Sequence, residues 1–383
     1  MRLGRARWGR EHGEVNSNEV AKRSGKDRYV ALCDRDIERC GAERFASHHA
    51  LTRRAECLLC PLRAGVSVLA RRRQVQVCRT PLTDSGRGAT GRDCRARIGE
   101  GEVLKRDFEP AKLQETAREL RCDIIRMLAK SGSGHPGGSL STIDMVTYLY
   151  WHQMHIDPAN PDWEDRDRFV LSKGHCAPAL YVALANRGYF PRQILWTLRD
   201  IESALQGHPD MRKTAGVDMT TGSLGQGFSA AAGIALGAKV RKKDFRVYAM
   251  LSDGELQEGI VWETAMAAAH YRLDNLIAFV DDNHLQTDGA TAEIMNPNPI
   301  AKKWKAFGWE VFAIDGHNLQ EIHDAVQKCM AQEARPHVIV AQTVKGKGVP
   351  SQEGNPEWHS LAKPMTDEEA EGYLAELKRG AQE

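Results

Sequence analysis

Two stretches decide how this sequence is read: Ser252-Asp253-Gly254-Glu255-Leu256-Gln257-Glu258-Gly259 and Val280-Asp281-Asp282-Asn283. Each closes or follows a short apolar run of strand character, Arg246–Ser252 and Leu276–Asp281, and a helical pattern over Glu258–Tyr271 lies between them. A strand–helix–strand unit brings the carboxyl ends of parallel strands together, and α/β sheets bind their ligands at those ends. Asp253 and Asn283, thirty positions apart (283 minus 253), would then stand side by side. A carboxylate and an amide oxygen are hard donors of the kind Mg²⁺ takes, with phosphate oxygens and water completing its octahedron. Gly254 would let the backbone approach a diphosphate closely. Taken alone, the pattern suits equally well two loops that only cap their strands, since Asp-Gly is a common turn.

Working outward, further strands are expected at Phe169–Ser172, Glu310–Ile314 and His337–Gln342, and further helices at Ala177–Asn186, Gln226–Val240, Ile300–Phe307 and Leu319–Ala334. Upstream, Leu113, Ala117, Leu120, Ile124 and Leu128 recur at three- and four-residue steps and mark an amphipathic helix. Ser131-Gly132-Ser133-Gly134 ends it. A second helix is expected to start with Ser139 or Ser141 as N-cap and to run to Met154 or near it. Strands alternating with helices imply right-handed crossovers. The predicted fold class is therefore α/β, a mostly parallel twisted sheet with helices on both faces, occupying residues 106–383.

Composition excludes more than it assigns. A net charge of +2 gives no reason to invoke nucleic acid or a membrane surface. That balance hides an asymmetry, because residues 1–100 hold 20 Arg and 2 Lys against 12 Asp plus Glu. Six of the nine cysteines, Cys33, Cys40, Cys57, Cys60, Cys78 and Cys94, lie there too. Residues 1–105 read as a poorly structured Arg- and Cys-rich extension, upstream sequence translated in frame, with the true start near Val103 or Leu104. Twelve acidic residues count against a transit peptide, which is acid-poor. Cys57-x-x-Cys60 lacks the second pair that a zinc knuckle needs. The remaining Cys122, Cys176 and Cys329 are too widely spaced for a disulfide framework. No apolar run reaches the roughly 20 residues of a membrane span, and the expected location is the cytoplasm.

The quoted stretches resemble the transketolase family. Its thiamine diphosphate signature, Gly-Asp-Gly with Asn some thirty residues on, is present with Ser252 in place of the first glycine, and the extended form Asp-Gly-x-Leu-Gln-Glu-Gly is residues 253–259. Four more segments resemble the family's motifs in the family's order: SGSGHPGG (131–138), RDRFVLSKGH (166–175), QGHP (206–209) and TGSLGQG (221–227), the last with Ser223 where proline is usual. The resemblance implies Mg²⁺ held by the side chains of Asp253 and Asn283 and by the carbonyl of Leu285. It implies thiamine diphosphate contacts from His175, Gly222, Ser223, Leu224, Gly254 and Asn283. His135, His208 and His359, each inside a family motif, would surround the C1 and C2 oxygens of a donor sugar as hydrogen-bonding and proton-shuttling groups. His152, His155, His270, His284 and His317 are read as ordinary surface or core residues.

The implied reaction is transfer of a two-carbon ketol unit from a ketose to an aldose. Single-chain members of the family carry three domains, and only the diphosphate-binding one is recognisable here. A separate C-terminal transketolase subunit supplying the pyrimidine-binding domain is therefore expected, in an α₂β₂ assembly. Rival readings are a deoxyxylulose-phosphate synthase-like subunit, whose active-site pattern differs from the His-Pro-Gly-Gly and Leu-Gly-Gln-Gly seen here, and a non-catalytic cofactor-binding partner, which retention of Asp253, Asn283 and His135 disfavours.

Overall fold

The computed structural model describes residues 107–380; the expected extension over 1–105, with Cys57 and Cys60, lies outside them. Its strands are β1 (Arg168–Leu171), β2 (Val247–Ser252), β3 (Leu276–Asp282), β4 (Leu285–Gln286), β5 (Gly289–Ala290), β6 (Glu310–Asp315) and β7 (His337–Gln342). Five of them form one sheet in the order β1-β2-β3-β7-β6, and every neighbouring pair is parallel. β4 and β5 make a small antiparallel hairpin just beyond β3. The register is level at the carboxyl ends: Ser252 faces Asp281, and Asp281 faces Ala341. The residues that follow β2, β3 and β7 therefore emerge beside one another.

The helices are α1 (Pro110–Ser131), α2 (Pro136–Tyr148), α3 (Ala177–Arg187), α4 (Gln226–Val240), α5 (Gly259–His270), α6 (Thr291–Ile294), α7 (Ile300–Ala306), α8 (Leu319–Ala331) and α9 (Asp367–Arg379). Two cores divide them, as the alternation of strand side chains requires. Tyr248, Met250, Ile277, Phe279 and Ile339 point to one face and pack under α1, α2, α3, α8 and α9. Val247, Ala249, Leu251, Ala278, Val280 and Val338 point to the other and pack under α4, α5 and α7. A central parallel strand is buried on both faces, which is why β2 and β3 are continuous apolar runs without alternation. Fully burying each such Val, Leu, Ile or Phe contributes about 1.5–3 kcal/mol relative to exposure.

Two boundaries depart from the sequence expectation. α2 begins at Pro136, three residues before Ser139, because proline suits the first helical turn, where no N–H partner is needed. Ser139 and Ser141 are thereby inside the helix; the Ser139 hydroxyl donates back to the His135 carbonyl at 2.7 Å instead of capping. Past Tyr148 the helix widens into a π turn over Leu149–Gln153. α8 stops at Ala331 rather than Ala334, whose φ is 71°. The α1 terminus behaves as expected, with Gly132 in the left-handed conformation at its C-cap. α9 has no counterpart among the expected helices, although Thr366 and Glu369 form a capping box at its start. None of the described helices is long and apolar enough to cross a membrane.

Trp304 anchors the second core, fully buried with its ring 4.8 Å from Trp309 and 5.7 Å from Phe228. Trp304→Ala is expected to lower the unfolding free energy by about 3–5 kcal/mol, measured by urea denaturation.

Candidate active site

The site gathers at the carboxyl ends of four parallel strands. Lys173 and His175 follow β1, Asp253 and Gly254 follow β2, Asn283 follows β3, and Lys345 follows β7. Of the residues singled out from sequence, His175, Gly222, Leu224, Gly254, Asn283, Leu285 and His359 line a single cavity of about 280 Å³. Ser223 sits between two lining residues but is itself exposed and does not line the cavity. Asp253 is fully buried beside the cavity: Oδ1 accepts from the Gly254 N–H at 2.9 Å, and Oδ2 from the Thr291 hydroxyl at 3.2 Å.

Carboxylates crowd this side. Burial, then the neighbouring Asp281 and Asp282, pushes Asp253 up to about 7. Asp282 is itself buried, and its Oδ1 has no hydrogen-bond partner. One ligand atom each from Asp253, Asp282 and His284 lie within 4.8 Å of one another. The amide of Asn283 has a defined sense, because Nδ2 donates to Asp281 at 2.9 Å while Oδ1 accepts from the Leu285 N–H at 3.2 Å. The Leu285 carbonyl accepts from the Lys345 ammonium at 3.2 Å. These oxygens, including the Asp282 Oδ1 that among the described residues only the His284 Nδ1 approaches, at 3.3 Å, fit a hard divalent cation, whose charge would relieve the repulsion that raises Asp253.

Opposite lie the histidines. The His135 ring is centred 5.3 Å from His175, 5.4 Å from His359 and 6.4 Å from His208; His175 and His359 are 5.2 Å apart. Burial lowers His135 to about 4 and His359 to about 3, and it takes His175 well below the usual imidazole range. His208 is lowered by burial and then by Arg199. All four rings are therefore neutral at pH 7. Lys345 donates to His359 Nδ1 at 3.0 Å, which leaves the ring proton on Nε2. Lys345 itself is lowered to about 8, by burial and then by Lys173.

Residues 111–375 match the family described as transketolase, thiamine diphosphate binding domain. The 6-deoxy-6-sulfo-D-fructose transketolase subunit SqwG of Clostridium sp. (strain MSTE9) is 48% identical over 267 residues, 70% of this chain and 96% of that protein. An apulose-4-phosphate transketolase subunit of Phocaeicola vulgatus is 39% identical over 251 residues, 66% of this chain and 88% of that one. The crystal structure of transketolase from Campylobacter jejuni superposes with a TM-score of 0.66 at 32% identity, covering 72% of this chain and 43% of that chain, so the present chain spans less than half of that enzyme. The chain belongs to the transketolase family. Its fold is the family's thiamine diphosphate-binding α/β fold, and it is an enzyme of the transferase class, a transketolase.

Three residues of this transketolase's site carried no assignment from sequence. Lys173, fully buried, donates to Asp281 and, at 3.0 Å, to the Thr142 hydroxyl. Glu255, also fully buried, accepts from the N–H groups of Gly225 at 2.7 Å and Ser252 at 3.1 Å, and from the Ser172 hydroxyl. It thus ties the loop before α4 to the ends of β1 and β2. Both stand inside quoted motifs, and a polar residue in a segment destined for burial was the available signal. Lys345 has no such signal, being 60 positions from the Leu285 carbonyl it meets.

The buried imidazole of His135 makes stability depend on pH. Its ordinary value of 6.5 is lowered to about 4 in the folded chain, so between those values the unfolded chain holds a proton that the folded one lacks. Stability is expected to fall as pH drops from 6.5 towards 4, and His135→Asn should flatten part of that slope. Urea midpoints across this range check both.

Proposed function

We propose that the chain is the thiamine diphosphate- and Mg²⁺-binding half of a two-chain transketolase that moves a two-carbon ketol unit from a ketose, or its phosphate, to an aldose. The observation that carries the reading is the juxtaposition of Asn283 and Leu285, with Asp253 buried beside them, and a cluster of four neutral histidines, two of which, His175 and His359, line the same cavity. Asp253, Asn283 and Leu285 would hold the cation through three oxygens. His175, Gly222, Ser223, Leu224, Gly254 and Asn283 would hold the cofactor, with Ser223 contributing through its backbone. Thiamine diphosphate supplies, when bound, the electron sink that carbanion chemistry needs.

The protein's own part is binding, orientation and proton traffic. His135, His208 and His359, uncharged at pH 7, can hydrogen-bond the C1 and C2 oxygens of the donor sugar and pass a proton to or from a developing alkoxide. The Lys345 ammonium fixes the His359 tautomer so that Nε2–H is the available donor. The orphaned, buried His135 Nδ1 is a polar atom still lacking a partner, as a group awaiting substrate would be.

A partner subunit is supported by the two relatives of matching length, both named as subunits. It would contribute the pyrimidine-binding domain, in an α₂β₂ assembly. Buried free thiols at Cys122, Cys176 and Cys329 suit the cytoplasm.

Calorimetric titration of the assembled complex tests the reading. Asp253→Ala is expected to abolish Mg²⁺-dependent thiamine diphosphate uptake, and uptake at wild-type affinity would overturn the assignment of the metal site. The wild-type chain without its partner is expected to show negligible ketol transfer in a coupled assay, whereas robust turnover by the chain alone would defeat the two-chain reading.

A further inference from the structure

Asp282 and His284 flank the proposed Mg²⁺ ligand Asn283, yet neither lines the cofactor cavity. The Mg²⁺ reading draws on Asp253, Asn283 and Leu285 and gives these two no part. Asp282 is 3% exposed; its Oδ2 accepts from the Gln342 amide, while its Oδ1 accepts no hydrogen bond. A buried carboxylate oxygen left without a donor needs an explanation. What faces it is the His284 Nδ1, at 3.3 Å.

That spacing is longer than a normal N–H···O bond of about 2.7–3.2 Å. Two ligands on a tetrahedral Zn²⁺-type ion, at bonds of about 2.0–2.1 Å, stand roughly 3.3–3.4 Å apart. Neighbouring ligands on octahedral Mg²⁺ stand closer, at roughly 2.9 Å. One carboxylate oxygen of Asp253 completes a set whose ligand atoms lie within 4.8 Å of one another, so a movement of at most about 1.4 Å closes it. The set is oriented from outside. Thr291 donates its N–H to the His284 carbonyl at 2.9 Å and its hydroxyl to Asp253 Oδ2 at 3.2 Å, and Gln342 holds Asp282 from behind. Outer partners of this kind fix metal ligands. The His284 side chain is 58% exposed and gives an ion its path from solvent. An imidazole among carboxylates favours transition ions such as Zn²⁺ and Ni²⁺ over Mg²⁺, which takes oxygen donors.

We propose that Asp282, His284 and a shared oxygen of Asp253 form a second cation site, selective for a Zn²⁺-type transition ion and lying outside the cofactor cavity. His284 is then a ligand, not the ordinary residue that its sequence context suggests. The inference goes beyond the ketol-transfer reading, since this ion touches neither cofactor nor sugar. The two cations meet only at Asp253, whose carboxylate bridges them.

The test loads the untagged two-chain complex with thiamine diphosphate and Mg²⁺ and dialyses it against Co²⁺, a coloured stand-in for Zn²⁺, in low and in excess Mg²⁺. Bound cobalt is measured by metal analysis and visible absorption. His284→Gly removes the imidazole with a residue that suits φ 61°. Asp282→Asn removes the carboxylate and keeps an acceptor for Gln342. Cysteines within residues 1–100 can hold cobalt too, so the difference between wild type and variant is what is read. Wild type is expected to hold one more Co²⁺ per chain than either variant, whose affinity at this site falls by more than the roughly 10–100-fold that loss of an outer partner costs. Mg²⁺-dependent cofactor uptake should be unchanged in His284→Gly. Equal cobalt in wild type and His284→Gly overturns the proposal. So does a difference that excess Mg²⁺ abolishes, because the imidazole would then confer no selectivity. Loss of cofactor uptake in His284→Gly overturns it as well, because the residue would then belong to the Mg²⁺ site. A wild-type complex that takes up no cofactor yet shows the cobalt difference would defeat the transketolase reading and leave this site standing.

Discussion

The site depends on one ion pair that water cannot reach. Asp281 and Lys173 are both fully buried and hydrogen-bonded to each other. Burial alone would push the carboxyl up and the amine down. Burial is the largest single influence on each, yet each moves the other way, because the opposite charge and the hydrogen bonds together outweigh it. Such a pair is a poor source of net stability, since desolvation cancels most of the attraction, yet removing one partner leaves a bare buried charge and costs about 3–5 kcal/mol. Its value is geometric. Asp281 also accepts from Ser141 at 2.7 Å, Asn283 at 2.9 Å, Thr142 at 3.3 Å and Thr343. One carboxylate thus gathers the end of β1, the middle of α2, the end of β3 and the segment after β7. Its bond to Asn283 Nδ2 decides which way that amide turns and so where the oxygen of this proposed metal ligand stands.

Charge is then sorted across the cavity. Asp253 and Asp282 crowd one side, where a divalent cation is proposed, the neutral histidines occupy the other, where sugar oxygens are proposed, and Lys345 bridges the two from the Leu285 carbonyl to His359. Neutral imidazoles matter for this division. If His135, His175 and His359 were protonated together, three cations within about 5.4 Å of one another would repel by amounts that rise steeply in a low dielectric. Burial beside Lys345 and Lys173 prevents that.

Much of this was legible in sequence, for reasons that also mark where legibility ends. β2 and β3 were readable to within a residue because a doubly covered parallel strand must be a short apolar run stopped by polar residues, and Asp253 and Asn283 lie where those runs stop. His135, His175 and His208 are singled out by motifs, not by any rule about histidine, and the bland reading of His317 and His155 rests on the lack of one. α2 was misplaced because two serines outweighed a proline that already supplied a start. Lys345 could not be placed, since its partner, the Leu285 carbonyl, lies 60 positions away and meets it only once the sheet has formed. Local pattern predicts where the chain turns, and it does not predict which two turns will touch.

Lys345 is held in place by a second buried network that never enters the cavity. The His317 ring accepts the Val344 N–H at Nε2, at 2.9 Å, so its proton sits on Nδ1, which donates to Asp144 at 2.7 Å. Asp144 is gripped in turn by Arg121 at 3.0 and 2.6 Å, and Arg121 reaches the Lys347 carbonyl at 3.1 Å. The chain is therefore fixed by its backbone one residue before Lys345 and two residues after it. With both flanks clamped, the lysine's ammonium is delivered between His359 and the Leu285 carbonyl by the fold, not by attraction to either. His317 thus acts structurally, as its sequence context suggested, yet the tautomer it holds governs the backbone that carries Lys345 to the ring of His359. The two buried ion pairs divide the work: Lys173–Asp281 fixes the end that faces the proposed cation, and Arg121–Asp144 fixes the segment that carries the Lys345 ammonium to His359.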